Sequence, residues 1–464
     1  MSAVVGAACR GLVGVACSLS EHATTPARPV PVHRHLPYGV WVLAGLAGVW
    51  LVLAVLSPWL RRRVPRVWWM LCGFPAAVWR VRWSWRRLAE LQNLSVSRRP
   101  ALAVVGRGVV VRGRALKLIA PRMGVPRWRR GGLVLRVRLH PGQTPEMYLS
   151  AGEAMAHAWR VFAVRVTSVD RGFLVLTATA WDPLSAPSVP PSLVARLLAA
   201  TVGQWEDGSG WTVDLRAVPH WLVVGATRSG KSNILASLVS AWAGQRLALV
   251  GIDLKGGMEL SLFEARFSAL ATTRAEAADL LERLVGIALA RMELCRSAGA
   301  RSVWELPEKV RPVPVVVFVD ELAELYLMAS SADKPEVTRI STALLRLSQL
   351  GAALGLHLVL SGQRVGSDLG PGVTALRAQL AGRICHRVSD KATAEMALGD
   401  LDADALAAAQ LITTGQPGVA VSFTPEGGWM RARSVLTTPE HARRTARRFA
   451  HLVPSMADLE VVGS

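Results

Sequence analysis

The sequence predicts an α/β fold: a P-loop domain with a mostly parallel sheet, preceded by a small α+β domain and an N-terminal transmembrane helix. Three observations carry this. GATRSGKS, Gly225 to Ser232, lies between an apolar run, Trp221 to Val224, and a helix-like segment, Asn233 to Trp242. That is the strand, loop and helix context the phosphate-loop pattern requires. Downstream of it, short apolar runs alternate with helical stretches, as in a parallel sheet wrapped by helices. Upstream, Tyr38 to Leu60 is an uncharged stretch of 23 residues, longer than the ~20 that cross a bilayer as a helix.

Half of the 464 residues are hydrophobic and 19% are charged, which excludes a disordered chain and leaves room for two or three domains. In chain order, residues 1–37 carry no motif, and Arg10 interrupts the only early apolar run, so a secretory signal is not indicated. The span 38–60 follows, and then Arg61, Arg62, Arg63 and Arg66. By the positive-inside rule these place this end, and the motor, in the cytoplasm at the cell membrane. Eight of the 17 Trp fall between Trp41 and Trp85, as interfacial anchors do. The run Val67 to Trp79 is 13 residues with Gly73 and Pro75 inside it. It lies in the interface or makes a tilted second crossing, and its shortness favours the interface.

The formal charge of +21 suggests a polyanionic partner, but its distribution decides which. Residues 61–140 hold twenty Lys and Arg against one acid, while residues 141–464 are neutral. The basic block therefore sits beside the membrane segment, where anionic lipid is as good a partner as DNA. The five cysteines, Cys9, Cys17, Cys72, Cys295 and Cys385, have no metal-like spacing and read as small buried hydrophobes.

After the basic, Trp-rich 61–99, residues 100–184 read as the small α+β domain. Leu133 to Leu139 alternates like a half-buried strand, Thr144 and Pro145 open a capped helix, and Phe162 to Thr167 and Phe173 to Ala178 give two more strands joined at Asp170 to Gly172. A spacer, collar or oligomerisation role suits it. Ser185 to Ser192 is rich in Pro and Ser and begins a linker, 185–199. The motor occupies 200–436, and a basic tail, 437–464, contains HARRTARRF, His441 to Phe449.

Within the motor, the nucleotide-binding loop is Gly225, Ala226, Thr227, Arg228, Ser229, Gly230, Lys231 and Ser232. The glycines let successive N–H groups turn toward phosphate oxygens, and the following helix adds its positive end. Lys231 reaches the β and γ phosphates of ATP, and Ser232 ligates Mg²⁺. VPVVVFVDE is an apolar strand ending in two acids, with Asp320 suited to the Mg²⁺ shell and Glu321 to activating water. Gln363, in LVLSGQRV, is placed to sense the γ phosphate. GIDLKGG puts Asp253 and Lys255 at another strand end, where the Gly pair reads either as a second close backbone approach or as turn chemistry.

GATRSGKS, IDLKGG, VVVFVDE, SGQRV and GRICHRVSDKATAEMALG, in this order, resemble the FtsK/SpoIIIE family of DNA-pumping ATPases, and within it the transfer proteins of actinomycete conjugative plasmids. The resemblance spans residues 200–422, and more loosely 130–183. It implies a RecA-like motor forming a hexameric ring around double-stranded DNA, with an arginine supplied by the neighbouring subunit. Arg383 is the first candidate, beside Arg387 and Arg364. Two features depart from the family: chromosomal members have several spans, and many end in a winged-helix domain, where this chain offers only its basic tail. The alternative cargo is protein, exported through a secretion complex, but those motors carry two or three modules in series and this chain has one phosphate loop.

Overall fold

Strand-forming valines and leucines between glycine-rich turns dominate the C-terminal two thirds of the chain, and they assemble into one large sheet. The computed structural model describes residues 48, 55–60, 63–98, 117–129, 131–185, 196–399, 403–424 and 427–460. The chain divides into two units, Met1–Pro75 and Ala76–Ser464.

Of the expected span 38–60, only residues 48 and 55–60 are among those described, and they are helical. Among those described, no helix is long and apolar enough to cross a membrane. In the first unit, Pro65–Trp68 is helical and passes into a π-helical turn, Trp69–Gly73. Gly73 is needed there because a Cβ would run into the Trp69 ring. The run 67–79 is covered by these turns and by the start of helix Phe74–Leu91, which exposes Arg82, Arg86 and Arg87 further along.

In the second unit, Ala77, Val81, Trp85, Leu88 and Ala89 form the buried face of that helix. Trp85 donates to the Pro121 carbonyl at 2.9 Å, and its ring lies 6.4 Å from that of Trp159. Strands β1 (Val96–Arg98) and β2 (Lys117–Ile119) pair antiparallel. A second sheet orders β3 (Arg122–Met123), β5 (Gly132–Arg138), β7 (Phe173–Thr179) and β6 (Ala163–Asp170), with β4 (Arg127–Arg129) also on β5. Alternation does the sorting: Leu133, Leu135 and Val137 point inward, Arg136 and Arg138 outward.

The capped helix expected at Thr144 differs. Two short helices, Glu146–Ser150 and Gly152–Trp159, replace it, and Pro145 stands at the cap position without a side-chain bond. Gln143 does the local bonding instead, accepting from the His140 N–H and the Tyr148 hydroxyl and donating to the Leu94 carbonyl. The helices break at Ala151, and the second opens on Gly152, where a Cβ would come to 3.2 Å from the Val164 carbonyl oxygen.

The motor sheet has ten strands: β8 (Ala199–Trp205), β9 (Gly210–Asp214), β10 (His220–Val224), β11 (Ala248–Ile252), β12 (Ala269–Ala271), β13 (Val315–Val319), β14 (Leu356–Gly362), β15 (Gly382–His386), β16 (Val419–Phe423) and β17 (Trp429–Ser434). Their order is β12-β11-β13-β14-β10-β15-β16-β17-β8-β9. The first six run parallel as expected, but every pairing from β15 to β9 is antiparallel, so the sheet is mixed. The linker region 186–195 lies outside the described residues.

Both faces of the parallel half are buried, which is why its strands are continuously apolar. Leu222, Val224, Val250, Val317 and Leu358 meet helices Arg274–Ser297, Lys334–Leu354 and Lys391–Leu398 on one face. Trp221, Val223, Leu249 and Phe318 meet helix Lys231–Trp242 on the other. Helix Arg274–Ser297 starts at a Thr273 capping box closed by Glu276, and Lys334–Leu354 stops at Gly355 in the left-handed conformation. The basic tail is likewise a packed element: helix Pro439–Arg448, capped by Thr438, buries Ala442, Thr445 and Ala446 and exposes its arginines.

Candidate nucleotide site

β10 is the switch point of the sheet, with β14 on one side and β15 on the other, and ligands gather outside such a point. The phosphate loop leaves β10 there and is stitched to both neighbours. Gly225 N–H donates to the Gly362 carbonyl at 3.2 Å and Ala226 N–H to the Arg387 carbonyl at 2.9 Å. Gly225 is required for space, because a Cβ would strike the Ser229 hydroxyl and approach the His386 Cβ at 2.8 Å. Gly230 is required for both space and conformation. Its φ is +111° and a Cβ would collide with the Gly418 nitrogen. Arg228 takes the other left-handed position, φ +59°, with its side chain exposed beside Thr227. The Gly418 N–H donates to the Ser229 carbonyl at 2.9 Å, and the buried His386 imidazole, pushed down to about 4 by burial, stands behind the loop. Sequence reasoning missed both supports.

Lys231 and Ser232 open helix Lys231–Trp242. Asn233 fixes its first turn, donating to the Val435 carbonyl at 2.6 Å and accepting from the Thr437 N–H at 2.8 Å. The Lys231 ammonium donates to Glu321 Oε2 at 2.7 Å, with side-chain exposures of 9% and 5%. Lys255 approaches the same oxygen at 3.2 Å and Asp320 Oδ2 at 3.8 Å. Gln363 N–H donates to Glu321 Oε1 at 3.0 Å, while the Gln363 side chain faces the cleft. Burial pushes the Glu321 carboxyl up, but Lys231, the Gln363 N–H and Lys255 outweigh it and hold it below the usual range. Burial raises Asp320 to about 6 against the pull of the two lysines.

Mg²⁺ suits these residues on one observation: Asp320 Oδ1 is buried without a protein partner. A desolvated carboxylate oxygen at a strand end, with the Ser232 hydroxyl in the first turn of helix Lys231–Trp242 as the second oxygen, is a hard-oxygen donor set. Asp253 belongs to the loop's architecture instead. It accepts from the N–H groups of Lys255, Glu259 and Leu260, and Gly256 and Gly257 both take positive φ. Turn chemistry therefore accounts for the Gly pair.

The three arginines separate. Arg383 lies inside the sheet, paired with Leu222 and donating to the Arg377 carbonyl at 2.7 Å, so it is tied into its own chain and away from the cleft. Arg387 donates to the Thr227 carbonyl at 3.0 Å. Arg364 is 67% exposed, 4.0 Å from Asp390, at the rim of a cleft of about 360 Å³ that opens over Lys255, Glu321 and Gln363.

This is the arrangement of a P-loop ATPase motor, with a phosphate cradle, a strand-end acid pair and a polar strand end between them. A family model described as the actinomycete conjugal transfer protein N-terminal domain matches residues 49–180, and the FtsK/SpoIIIE family model matches 195–367. The transfer protein TraSA of Streptomyces ambofaciens is 43% identical over 350 residues, 73% of this chain and 84% of that one. The chain belongs to the FtsK/SpoIIIE family, among its actinomycete conjugal transfer proteins, and is an ATPase. A sporulation regulatory protein of Streptomyces azureus is 50% identical over 246 residues, 53% of this chain and 81% of that one. The DNA translocase FtsK of Sporosarcina ureae is 32% identical over 219 residues, 43% of this chain, which spans 26% of that protein. Among solved structures, the pCW3 conjugation coupling protein TcpA with ATPγS superposes with a TM-score of 0.54 at 20% identity, covering 72% of this chain and 94% of that one, which supports the fold.

Proposed function

We propose that the protein is a membrane-anchored, ATP-driven double-stranded DNA translocase for conjugative plasmid transfer. It works as a homo-oligomeric, hexameric ring whose motor faces the cytoplasm. The observation that carries this is the Lys231, Asp320 and Glu321 cluster at the phosphate loop, in a chain that aligns with a transfer protein along 73% of its length.

The loop from Gly225 to Ser232 wraps the phosphates, and Lys231 leaves Glu321 to reach their β and γ oxygens. Ser232 and Asp320 would hold Mg²⁺, which would supply positive charge against the phosphate oxygens. Glu321 orients the attacking water and takes its proton. Gln363 reads the γ position from the cleft. A neighbouring subunit supplies an arginine, for which Arg383, Arg387 and Arg364 are the candidates. Residues 38–60 anchor the chain, and residues 100–184 form a collar between bilayer and motor.

The test is ATP hydrolysis by the full chain in detergent across a linear duplex-DNA titration at two salt concentrations. Duplex should stimulate turnover, less so at high salt, and Lys231→Ala should abolish it. Turnover indifferent to duplex would overturn the DNA reading and favour protein cargo.

A further inference from the structure

Two ammonium groups share one carboxylate oxygen. Lys231 and Lys255 lie 2.7 Å and 3.2 Å from Glu321 Oε2, and Lys255 also faces Asp320 Oδ2 at 3.8 Å. One lysine would suffice to neutralise Glu321, so the second needs a reason. A triphosphate on the loop competes for Lys231, and a buried carboxylate that loses its only cation is left at a severe electrostatic cost. Lys255 is built to stay behind. Its backbone N–H is held at 3.2 Å by Asp253 Oδ1, and Gly256 and Gly257 turn the chain back directly after it. Its side chain is 33% exposed, on the cleft side, against 9% for Lys231.

We propose that Lys255 is a positioning residue of the ATPase centre: when bound nucleotide draws Lys231 away, Lys255 keeps the Glu321 carboxylate in place beside the cleft. Gln363 N–H fixes one carboxylate oxygen at 3.0 Å and Lys255 the other, so the group that handles water does not turn when its first partner leaves. Lys231 thus serves the phosphates and Lys255 serves the base.

The inference rests on the ATPase reading and not on the cargo. The experiment compares the full chain with Lys255→Met and Lys255→Arg, measuring kcat and KM for ATP with and without duplex, and the Kd of a fluorescent ATP analogue. Lys255→Met should lower kcat about tenfold or more, with KM and Kd within about threefold of the parent. Lys255→Arg, which keeps the charge, should recover most of the loss. Lack of duplex stimulation in the parent would sink the DNA proposal while leaving this comparison readable from basal turnover. A kcat within about twofold of the parent in a folded Lys255→Met would overturn the inference. So would a Kd that weakens in step with kcat, because Lys255 would then be a phosphate ligand.

Discussion

Arg431 on β17 reaches across to Asp182, 249 residues earlier in the chain, at 3.2 Å, and with its other edge to Glu206 at 3.0 Å. Its guanidinium also lies over the Phe162 ring, and Gln416 donates to the second Asp182 oxygen at 2.8 Å. One arginine thereby ties the α+β segment to the antiparallel edge of the motor sheet. Arg431 and Asp182 are only 15% and 11% exposed, so removing one partner strands the other in a poorly solvated site. Arg431→Ala should cost roughly 2–4 kcal/mol of stability, read as a lower melting temperature. In a double-mutant cycle Asp182→Ala should then add less than its own single effect.

Gly418 lies on the same route, one step from the phosphate loop. Its φ is +82°, its N–H supports the Ser229 carbonyl, and a Cβ would come to 3.0 Å from the Ser434 hydroxyl. Gly418→Ala should therefore loosen the loop without touching a ligand. An ATP analogue should bind about threefold to tenfold more weakly, while the melting temperature falls by the equivalent of about 1 kcal/mol. Unchanged nucleotide affinity would show that the loop does not depend on this support.

The parallel half of the motor was legible because buried strands such as Val315–Val319 are unbroken apolar runs that stop at polar residues, and the site residues sit at those stops. The antiparallel half was not. In β8 and β9, Gly203, Gln204, Thr201 and Thr212 dilute the apolar signal, and the pairing partner of β8, β17, is more than two hundred residues away. The basic helix Pro439–Arg448 read as a tail because its buried face is made of Ala442, Thr445 and Ala446, small residues that pack closely but carry little hydrophobic signal. Lys255 was visible as a residue, yet its convergence with Lys231 on one oxygen depends on β10, β11 and β13 all ending at the same edge of the sheet, with β14 between β13 and β10. Arg383 carries no composition signal for its place, and register sets it half-buried on β15 opposite Leu222.

Acid should destabilise the fold from the opposite end of the sheet. Burial lowers His220 to about 4 from 6.5, and burial together with the neighbouring His220 lowers His357 to about 3. His220 Nδ1 accepts from the Leu358 N–H at 3.2 Å, which a proton there would forbid. Both imidazoles are neutral when folded and take up protons when unfolded, so their contribution is intact above pH 6.5 and declines as pH falls toward 4. Each pH unit in that window costs about 1.4 kcal/mol per histidine. Denaturant unfolding at a series of pH values should show this slope, and it should shrink in His220→Asn, whose side-chain oxygen can still accept from Leu358. An unchanged slope would assign the acid sensitivity elsewhere.

Asp320 gives the metal prediction. Its Oδ1 has no protein partner, and burial holds the carboxyl at about 6, so the site favours a bound cation over a bare charge. Asparagine preserves the shape, and the backbone contact by which the Ser361 hydroxyl donates to the residue-320 carbonyl should survive. In the parent, removing Mg²⁺ with EDTA should weaken binding of an ATP analogue about tenfold or more, whereas in Asp320→Asn the difference should shrink to about threefold or less, with hydrolysis reduced on the order of a hundredfold. The sign follows from the charge. A neutral amide cannot anchor the cation, yet it also relieves repulsion toward the phosphates, so nucleotide binding without Mg²⁺ should hold steady or tighten. Retained Mg²⁺ dependence in Asp320→Asn would move the metal to another ligand.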